Sequence, residues 1–254
     1  MGVNPVSGAD KREHRVSLVG IVTALRAEAK CITPRRLPFN EMVRLREGTA
    51  IWLCGMGGEA ARQAAAGMRD RGVSALMSFG VAGALDETLR PGDLVLPEYI
   101  HAEYAHPVTL EWRARIMQHL PRHVKVAGGT LATSHQVLTS GAEKREFSAR
   151  NGACAVDMES GAIAEIAANA GIPFVAVRAI TDPLEFSPPP TLLGAIYPDG
   201  SVNTLHLLKL VLRRSVNVST LLRLAPSMRA ACTTLLSVVK HADIELGGAF
   251  SPQY

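Results

Sequence analysis

The chain has 254 residues, of which 47% are hydrophobic and 20% are charged, and its formal net charge is +4. This composition is typical of a globular protein and excludes low-complexity and disordered classes. The mild positive charge permits an anionic substrate. However, the sequence lacks a basic stripe interleaved with aromatic residues, the pattern that would predict a nucleic-acid-binding surface.

The N-terminal segment and the cysteines together predict a cytoplasmic protein. Residues 1–15 are polar and lack the apolar core of a signal peptide, so we expect a disordered tail there. No run reaches the roughly 18 apolar residues that a membrane span needs. The cysteines have no CxxC spacing and are expected to be small buried thiols in a reducing compartment. They are Cys31, Cys54, Cys154 and Cys232.

Strands and helices are predicted to alternate along the chain. Near-continuous apolar runs predict strands that are buried on both faces. These strands cover residues 16–25, 50–54, 75–79, 94–97, 124–133 and 174–180. Helices are predicted at 59–69 and 162–170, the second ended by Gly171 and Pro173. The alternation predicts one α/β domain over 16–245, with a three-layer α/β/α fold and a mixed central sheet.

Three loops follow predicted strands and form the candidate ligand-binding region, because ligand sites of such sheets gather at the carboxyl ends of strands. They are Cys54–Gly58, Gly80–Ala84 and Thr181–Pro183. The two glycine-rich loops either present backbone N–H groups to an anion or sugar, or only turn the chain. Neither matches a dinucleotide fingerprint or a GxxxxGK[ST] phosphate loop.

Three carboxylates are candidates for chemistry by their position. Glu28 lies just beyond the first predicted strand, Asp182 ends the last one, and Glu159 comes immediately before a predicted helix. Each also has a purely structural interpretation. Glu28 and Asp182 could cap following helices, and Glu159 could be a first-turn acid favoured by the helix dipole.

Five motifs occur in the order and spacing of one known superfamily. They are Cys54–Gly58 (CGMGG), Ser78–Ala84 (SFGVAGA), Arg90–Val95 (RPGDLV), Ala155–Ser160 (AVDMES) and Arg178–Asp182 (RAITD). On these residues, from about Val16 to Asp182, the chain resembles the nucleoside phosphorylase / methylthioadenosine–adenosylhomocysteine nucleosidase superfamily.

The C-terminal third resembles one branch of that superfamily, the hopanoid-associated phosphorylases. The resemblance rests on Asp182-Pro183, Pro188–Pro190, Tyr197–Ser201 (YPDGS), Leu212–Arg214 (LRR) and Leu221–Leu224 (LLRL). This branch is linked to removal of adenine from adenosylhopane, so the resemblance implies cleavage of a purine N-ribosyl bond in a 5′-substituted adenosine. A methylthioadenosine/adenosylhomocysteine nucleosidase and a catalytically silent binding protein of the same fold are the alternatives.

The resemblance also implies roles for individual residues. Asp182 is the expected general acid to the purine N7, a role that needs a protonated carboxyl, which burial favours. Glu159 is expected to hold the ribose hydroxyls and to favour the developing positive charge of the sugar. The remaining expected substrate contacts are Met158 at the sugar, Val137 and Leu138 at the base, and Gly80, Val81 and Ala82 in the central loop.

The sequence leaves two alternatives for the nucleophile, water and phosphate. A glutamate placed like Glu28 activates water in the nucleosidases, whereas an arginine placed like Arg26 binds phosphate in the phosphorylases. The second arginine and the serine of the phosphorylase site are replaced here by Ser78 and Val81. Hydrolysis is therefore favoured over phosphorolysis.

Residues 203–240 are basic and leucine-rich, with no Asp or Glu. We predict two helices here, broken near Ala225-Pro226. They either pack on the core with a solvated basic face, contact anionic lipid headgroups at the inner membrane surface, or form a dimer contact.

No cofactor is expected for hydrolysis, and inorganic phosphate is the co-substrate of phosphorolysis. His101, His106 and His135 lack metal-ligand spacing, so no metal site is predicted. The expected partners are a purine nucleoside, lipid-linked in the hopanoid interpretation, and a second copy of the chain.

Overall fold

A computed structural model of the chain describes residues 18–46, 48–187, 191, 195, 197, 201 and 218–242. Its strands are β1 (Val19–Thr23), β2 (Met42–Arg46), β3 (Thr49–Leu53), β4 (Ala75–Ala84), β5 (Leu94–Val95), β6 (Tyr99–His101), β7 (Ala105–Pro107), β8 (Val126–Ala127), β9 (Thr130–Thr133), β10 (Ala155–Asp157) and β11 (Phe174–Asp182). Its helices are α1 (Arg26–Ile32), α2 (Gly58–Asp70), α3 (Leu110–His119), α4 (Gly141–Asn151), α5 (Ser160–Ala170) and α6 (Val218–His241).

The strands form one mixed sheet with β4 at its centre. β1 pairs in parallel with β3 and with the first half of β4, and β11 runs parallel to β4 along its other edge. The last two residues of β4 pair with β10 in the antiparallel sense. The carboxyl ends of β1, β3, β4 and β11 therefore meet at one edge of the sheet.

Two apolar layers cover the opposite faces of the sheet. Helices α2 and α5 pack together on one face, where Met68 and Ile163 are fully buried with Val22 of β1. On the other face α1, α3 and α6 cover residues such as Ile21, the neighbour of Val22 in sequence. Because successive strand residues point to opposite faces, a continuous apolar run supplies both layers. The predicted α/β/α fold is confirmed.

The predicted loop Gly80–Ala84 is wrong, since these residues continue strand β4. Gly80 pairs with Arg178 and Ala82 with Ile180 on β11, while Gly83 pairs with Val156 on β10. Because β11 pairs along Gly80–Gly83 and β10 pairs with Gly83 and Ala84, the glycines do not mark a turn. Small side chains are needed here because other groups of the site approach this strand closely.

The structure also differs from the prediction in where one strand is divided and in where one helix is unbroken. The predicted strand 124–133 is two strands separated at Gly128-Gly129, because β8 pairs with β5 whereas β9 pairs with β6 and β10. Conversely, α6 runs unbroken through Pro226. This proline is exposed, and it costs the helix one backbone hydrogen bond because proline has no N–H group. The predicted tail 1–15 and residues 203–217 of the basic segment lie outside the described residues.

Candidate active site

A cavity of about 180 Å³ lies at the sheet edge where the parallel strands end. Met56 follows β3, Val81 and Ala82 belong to β4, and Thr181 and Asp182 end β11. The three chain segments predicted to form the ligand-binding region therefore do meet in one place. The other lining residues are Ala24, Leu25, Glu28, Gly83, Gln136, Val137, Leu138, Lys144, Val156, Asp157, Met158 and Glu159.

Glu28 is the third residue of α1 and is 1% exposed. Its Oε2 accepts hydrogen bonds from the Thr23 hydroxyl at 2.9 Å and from the N–H groups of Ala24 at 3.0 Å and Leu25 at 2.8 Å. Its Oε1 accepts from the Val81 N–H at 2.8 Å. Glu28 therefore caps the start of α1, as its structural interpretation predicts, and it also joins α1 to β4. Its Oε1 can accept a further hydrogen bond.

Arg178 is a fully buried cation beside the cavity. Its Nη2 lies 2.8 Å from Asp157 Oδ2 and donates to the hydroxyl of Ser78 at 2.6 Å and to that of Ser160 at 3.1 Å. Burial lowers the pKa of Arg178, but the carboxylates of Asp157, Glu159 and Glu28 outweigh it and raise this pKa above its ordinary value. Arg178 therefore supplies a permanent positive charge among the acids of the site.

Glu159 stands at the N-terminus of α5 and is also buried. Its Oε1 accepts from the Gly57 N–H at 2.7 Å, and its Oε2 lies 3.9 Å from Arg178 Nη2. Burial raises the pKa of Glu159 to about 7, with Arg178 opposing the increase and Asp157 and Glu28 adding to it. The side chain makes no capping bond to its own helix.

Asp182 reaches the cavity from the end of β11, where the register with β4 shifts between Ile180 and Asp182. Such an irregularity re-aims a side chain. A Cβ on Gly83 would lie 2.8 Å from Asp182 Oδ2, so the glycine leaves room for this carboxylate. Oδ1 accepts from the Thr181 hydroxyl at 2.8 Å, and Oδ2 contacts Lys144.

Apolar side chains form another part of the cavity wall. Met158 lies between Asp157 and Glu159 in the segment that joins β10 to α5, whereas Val137 and Leu138 come from the segment before α4. The cavity therefore combines an apolar surface suited to a flat base with carboxyl groups suited to a sugar.

Two of the predicted site residues do not line this cavity. Gly80 lies behind it, where an added Cβ would collide with the Glu28 carboxylate and with Arg178 Nη1. Arg26 donates from Nη1 to the Leu37 carbonyl at 3.0 Å and lines a different cavity with other basic residues. The same turn of α1 therefore directs Glu28 toward β4 and Arg26 toward Leu37 and the second cavity.

Sequence reasoning missed the cations that accompany the acids. Arg178 had a signal, because a charged residue interrupts the otherwise apolar run of β11. Lys144 had none, since α4 carries charged residues around much of its surface. Only the packing of α4 shows that Lys144 is 1% exposed, whereas its neighbour Arg145 is 55% exposed.

Across the described part of the chain, no three His, Cys, Asp or Glu side chains are grouped so that they could hold a metal ion. No helix among the described residues combines the length and the apolar character needed to cross a membrane.

Comparison with known proteins identifies the family. A model of the phosphorylase superfamily matches residues 22–192, more than half of the chain. No match was found among the curated proteins.

Solved structures share the fold. Futalosine hydrolase of Helicobacter pylori strain 26695 is 18% identical with a TM-score of 0.64, covering 89% of this chain and 99% of its own. The 5′-methylthioadenosine/S-adenosyl homocysteine nucleosidase of Helicobacter pylori is 17% identical with a TM-score of 0.63, covering 89% and 98%. The Streptococcus pneumoniae MTA/SAH nucleosidase in complex with 8-aminoadenine is 17% identical with a TM-score of 0.61, covering 88% and 99%. The family match shows that the chain belongs to the phosphorylase superfamily.

Proposed function

We propose that the protein hydrolyses the N-ribosyl bond of a 5′-substituted adenosine and releases adenine. The observation that carries this proposal is the cavity itself, in which Asp182, Glu28 and Glu159 stand around one space at the strand ends. An N-glycosidic cleavage needs an acid for the base, a group that activates the nucleophile and an anion near the oxocarbenium-like sugar. Three separate carboxyl groups meet these three needs.

Each carboxyl has one role. Asp182 protonates N7 of the leaving purine. Glu28 accepts a proton from water through Oε1, the oxygen that carries a single hydrogen bond in the structure. Glu159 accepts hydrogen bonds from the ribose hydroxyls, and its negative charge favours the cationic sugar of the transition state.

Apolar and backbone groups place the substrate. Val137 and Leu138 pack on the base, Met158 packs on the sugar, and Val81 and Ala82 form the wall between Glu28 and Asp182. Gly80 acts indirectly by leaving space for Glu28 and Arg178. The reaction needs no cofactor.

Charge around the cavity favours water over phosphate. Among the described residues that line it, Lys144 is the one cation, and its ammonium group is paired with Asp182. A phosphate dianion in the same space would face four acids, and none of the described lining residues is an arginine that could bind it. Val81 also offers no hydroxyl at the position where the phosphorylases carry a serine.

Phosphorolysis is the second candidate because of one observation on α1. Arg26 and Lys30 line a cavity together with Arg35 and Arg36. A phosphate bound by Arg26 would have to enter from this side, with ribose 1-phosphate as the product.

The first measurement is adenine release from a soluble 5′-substituted adenosine, with and without inorganic phosphate, followed by identification of the sugar. We expect equal rates in both conditions and a free ribosyl product. As a matched pair, E28Q should lower kcat by about 10²-fold or more, whereas R26A should change it by less than about threefold. Strict phosphate dependence and a ribose 1-phosphate product would instead establish phosphorolysis.

The proposed 5′ substituent is a hopane, which makes adenosylhopane the substrate and hopanoid biosynthesis the process. The support is the C-terminal resemblance and the basic, leucine-rich segment 203–240, which would contact the inner membrane surface from the cytoplasm. The working unit is proposed to be a homodimer. A preference for methylthioadenosine over adenosylhopane in kcat/KM would favour the housekeeping nucleosidase alternative.

A further inference from the structure

Lys144 is a buried cation that the mechanism above does not use. Its side chain is 1% exposed, and its Nζ contacts Asp182 Oδ2, the carbonyl of Pro183 at 3.0 Å and the carbonyl of Phe186 at 2.9 Å. Three acceptors match the three N–H donors of an ammonium group. Burying a lysine is costly unless it is paired and fully hydrogen-bonded, so this arrangement constrains the site strongly.

The position of Lys144 relates it to the general acid in two ways. Its charge lies against one oxygen of the Asp182 carboxyl group, while the Thr181 hydroxyl holds the other oxygen at 2.8 Å. Its bonds to Pro183 and Phe186 also fix the backbone immediately after Asp182. One side chain on α4 thus controls both the electrostatic surroundings and the orientation of the acid at the end of β11.

We propose that Lys144 is a positioning residue for the general acid Asp182, an inference that rests on the proposed function. In the reaction the O–H bond of Asp182 breaks and its proton passes to N7 of the purine. The electron pair of the broken C1′–N bond goes to the base, while the water oxygen bonds to C1′ and gives a proton to Glu28. Asp182 becomes a carboxylate beside the ammonium of Lys144, which stabilises the charge that proton donation creates.

Lys144 would also hold α4 to the end of β11 in a purely structural role, so the test must separate charge from attachment. K144Q retains N–H donors for the two carbonyls but removes the charge, whereas K144R keeps the charge. Lys125 is the matched control, because it pairs with Asp93 at 2.7 Å and donates to the Thr88 carbonyl at 2.9 Å outside the cavity.

The experiment measures kcat, KM and thermal unfolding of these variants with a soluble 5′-substituted adenosine. K144Q should lower kcat by about 10²-fold with KM changed by less than about threefold, because general acid catalysis contributes about 10²–10⁴-fold. K144R should recover part of the loss, and K125Q should behave as the wild type. In the D182N background K144Q should lower kcat by no more than about threefold further, because a group that acts through Asp182 has no effect without it.

Three results overturn the inference alone. The first is a wild-type kcat in K144Q, and the second is losses from K144Q and D182N that multiply. K144R as inactive as K144Q, in an equally folded protein, does the same. If K144Q does not fold, K144M replaces it in the same experiments. If neither variant folds while K144R is folded and active, Lys144 has a purely structural role and the inference is overturned. A wild-type protein that releases no adenine overturns the proposed function itself, and this inference with it.

Discussion

Glu159 illustrates how opposing effects act on a single carboxyl group. Burial disfavours its charged form, whereas Arg178 and the Gly57 N–H favour it, and the balance leaves its pKa at about 7. The ribose-binding role proposed for Glu159 calls for the ionised form. In this proposal the protein keeps a carboxyl group that lowers its stability near neutral pH because the group is used to bind the sugar.

This shift makes a prediction about stability and pH. The pKa of Glu159 is about 7 in the folded protein and is taken as the ordinary 4.5 when unfolded. Between these values the folded state binds more protons, so Glu159 lowers stability as pH rises from about 4.5 to about 7, and the loss is complete above that range. E159Q should therefore have little effect on the free energy of unfolding at pH 4.5 and raise it by about 1–3 kcal/mol at pH 8.

Denaturant unfolding at several pH values checks this result, with E165Q as the control. Arg62 lowers the pKa of the half-exposed Glu165, so E165Q should cost about 0–1 kcal/mol at pH 8 and less in acid. A stabilisation by E159Q that is constant or falls with rising pH would contradict the electrostatic account.

The site residues differ in how far sequence could predict them. Asp182, Glu159 and Glu28 stand in or near short motifs at strand ends, where position alone suggests chemistry. Lys144 could not be found this way, because its inward direction depends on how α4 packs against Asp182 and the residues that follow β11. Gly80 was predicted as a ligand contact, but its function is to leave space behind the cavity, which only the packing of Glu28 and Arg178 reveals.

At the scale of elements, apolar runs predicted most strands, and pairing decided where they end. β4 continues past Gly80 because β11 and β10 both pair with it, and such partners are distant in sequence. Helix α6 continues through Pro226 because residues after the proline anchor it. Its buried stripe packs in the core that includes Trp112 and residues of α1. The stripe consists of Ala231, Leu235 and Val238, and the buried Ala242 continues it directly after the helix.

This stripe provides a prediction with a matched pair of neighbouring leucines. Leu235 is fully buried, whereas Leu236 is 50% exposed. L235A should lower the free energy of unfolding by about 2–5 kcal/mol through lost burial and a residual cavity. L236A should change it by less than about 0.5 kcal/mol, as exposed positions generally do. Urea unfolding of both variants measures the difference, and equal effects would mean that α6 does not pack as described.

At the scale of the whole molecule, the fold accounts for where the chemistry lies but not for what the substrate carries at its 5′ position. The buried residues Ala231, Leu235 and Val238 support the core-packing interpretation for the second half of α6. The lipid-contact interpretation therefore depends chiefly on residues 203–217, which contain Lys209, Arg213 and Arg214 among leucines. A sequence pattern of this kind suits both a buried helix and an interfacial one, so periodicity alone could not decide between them.

Vesicle binding tests the lipid-contact interpretation directly. The wild-type protein should co-sediment with vesicles rich in anionic lipid, and added salt should weaken this binding because surface charges are screened. The triple variant K209E/R213E/R214E should lose vesicle binding, since each basic residue near such a surface contributes about 1 kcal/mol. Its kcat/KM for a soluble adenosine derivative should stay within about threefold of wild type, because the catalytic cavity is untouched.

Turnover of adenosylhopane presented in the same vesicles should fall together with binding. If the triple variant loses turnover of the soluble substrate as well, residues 203–217 belong to the folded core and the lipid-contact interpretation is wrong.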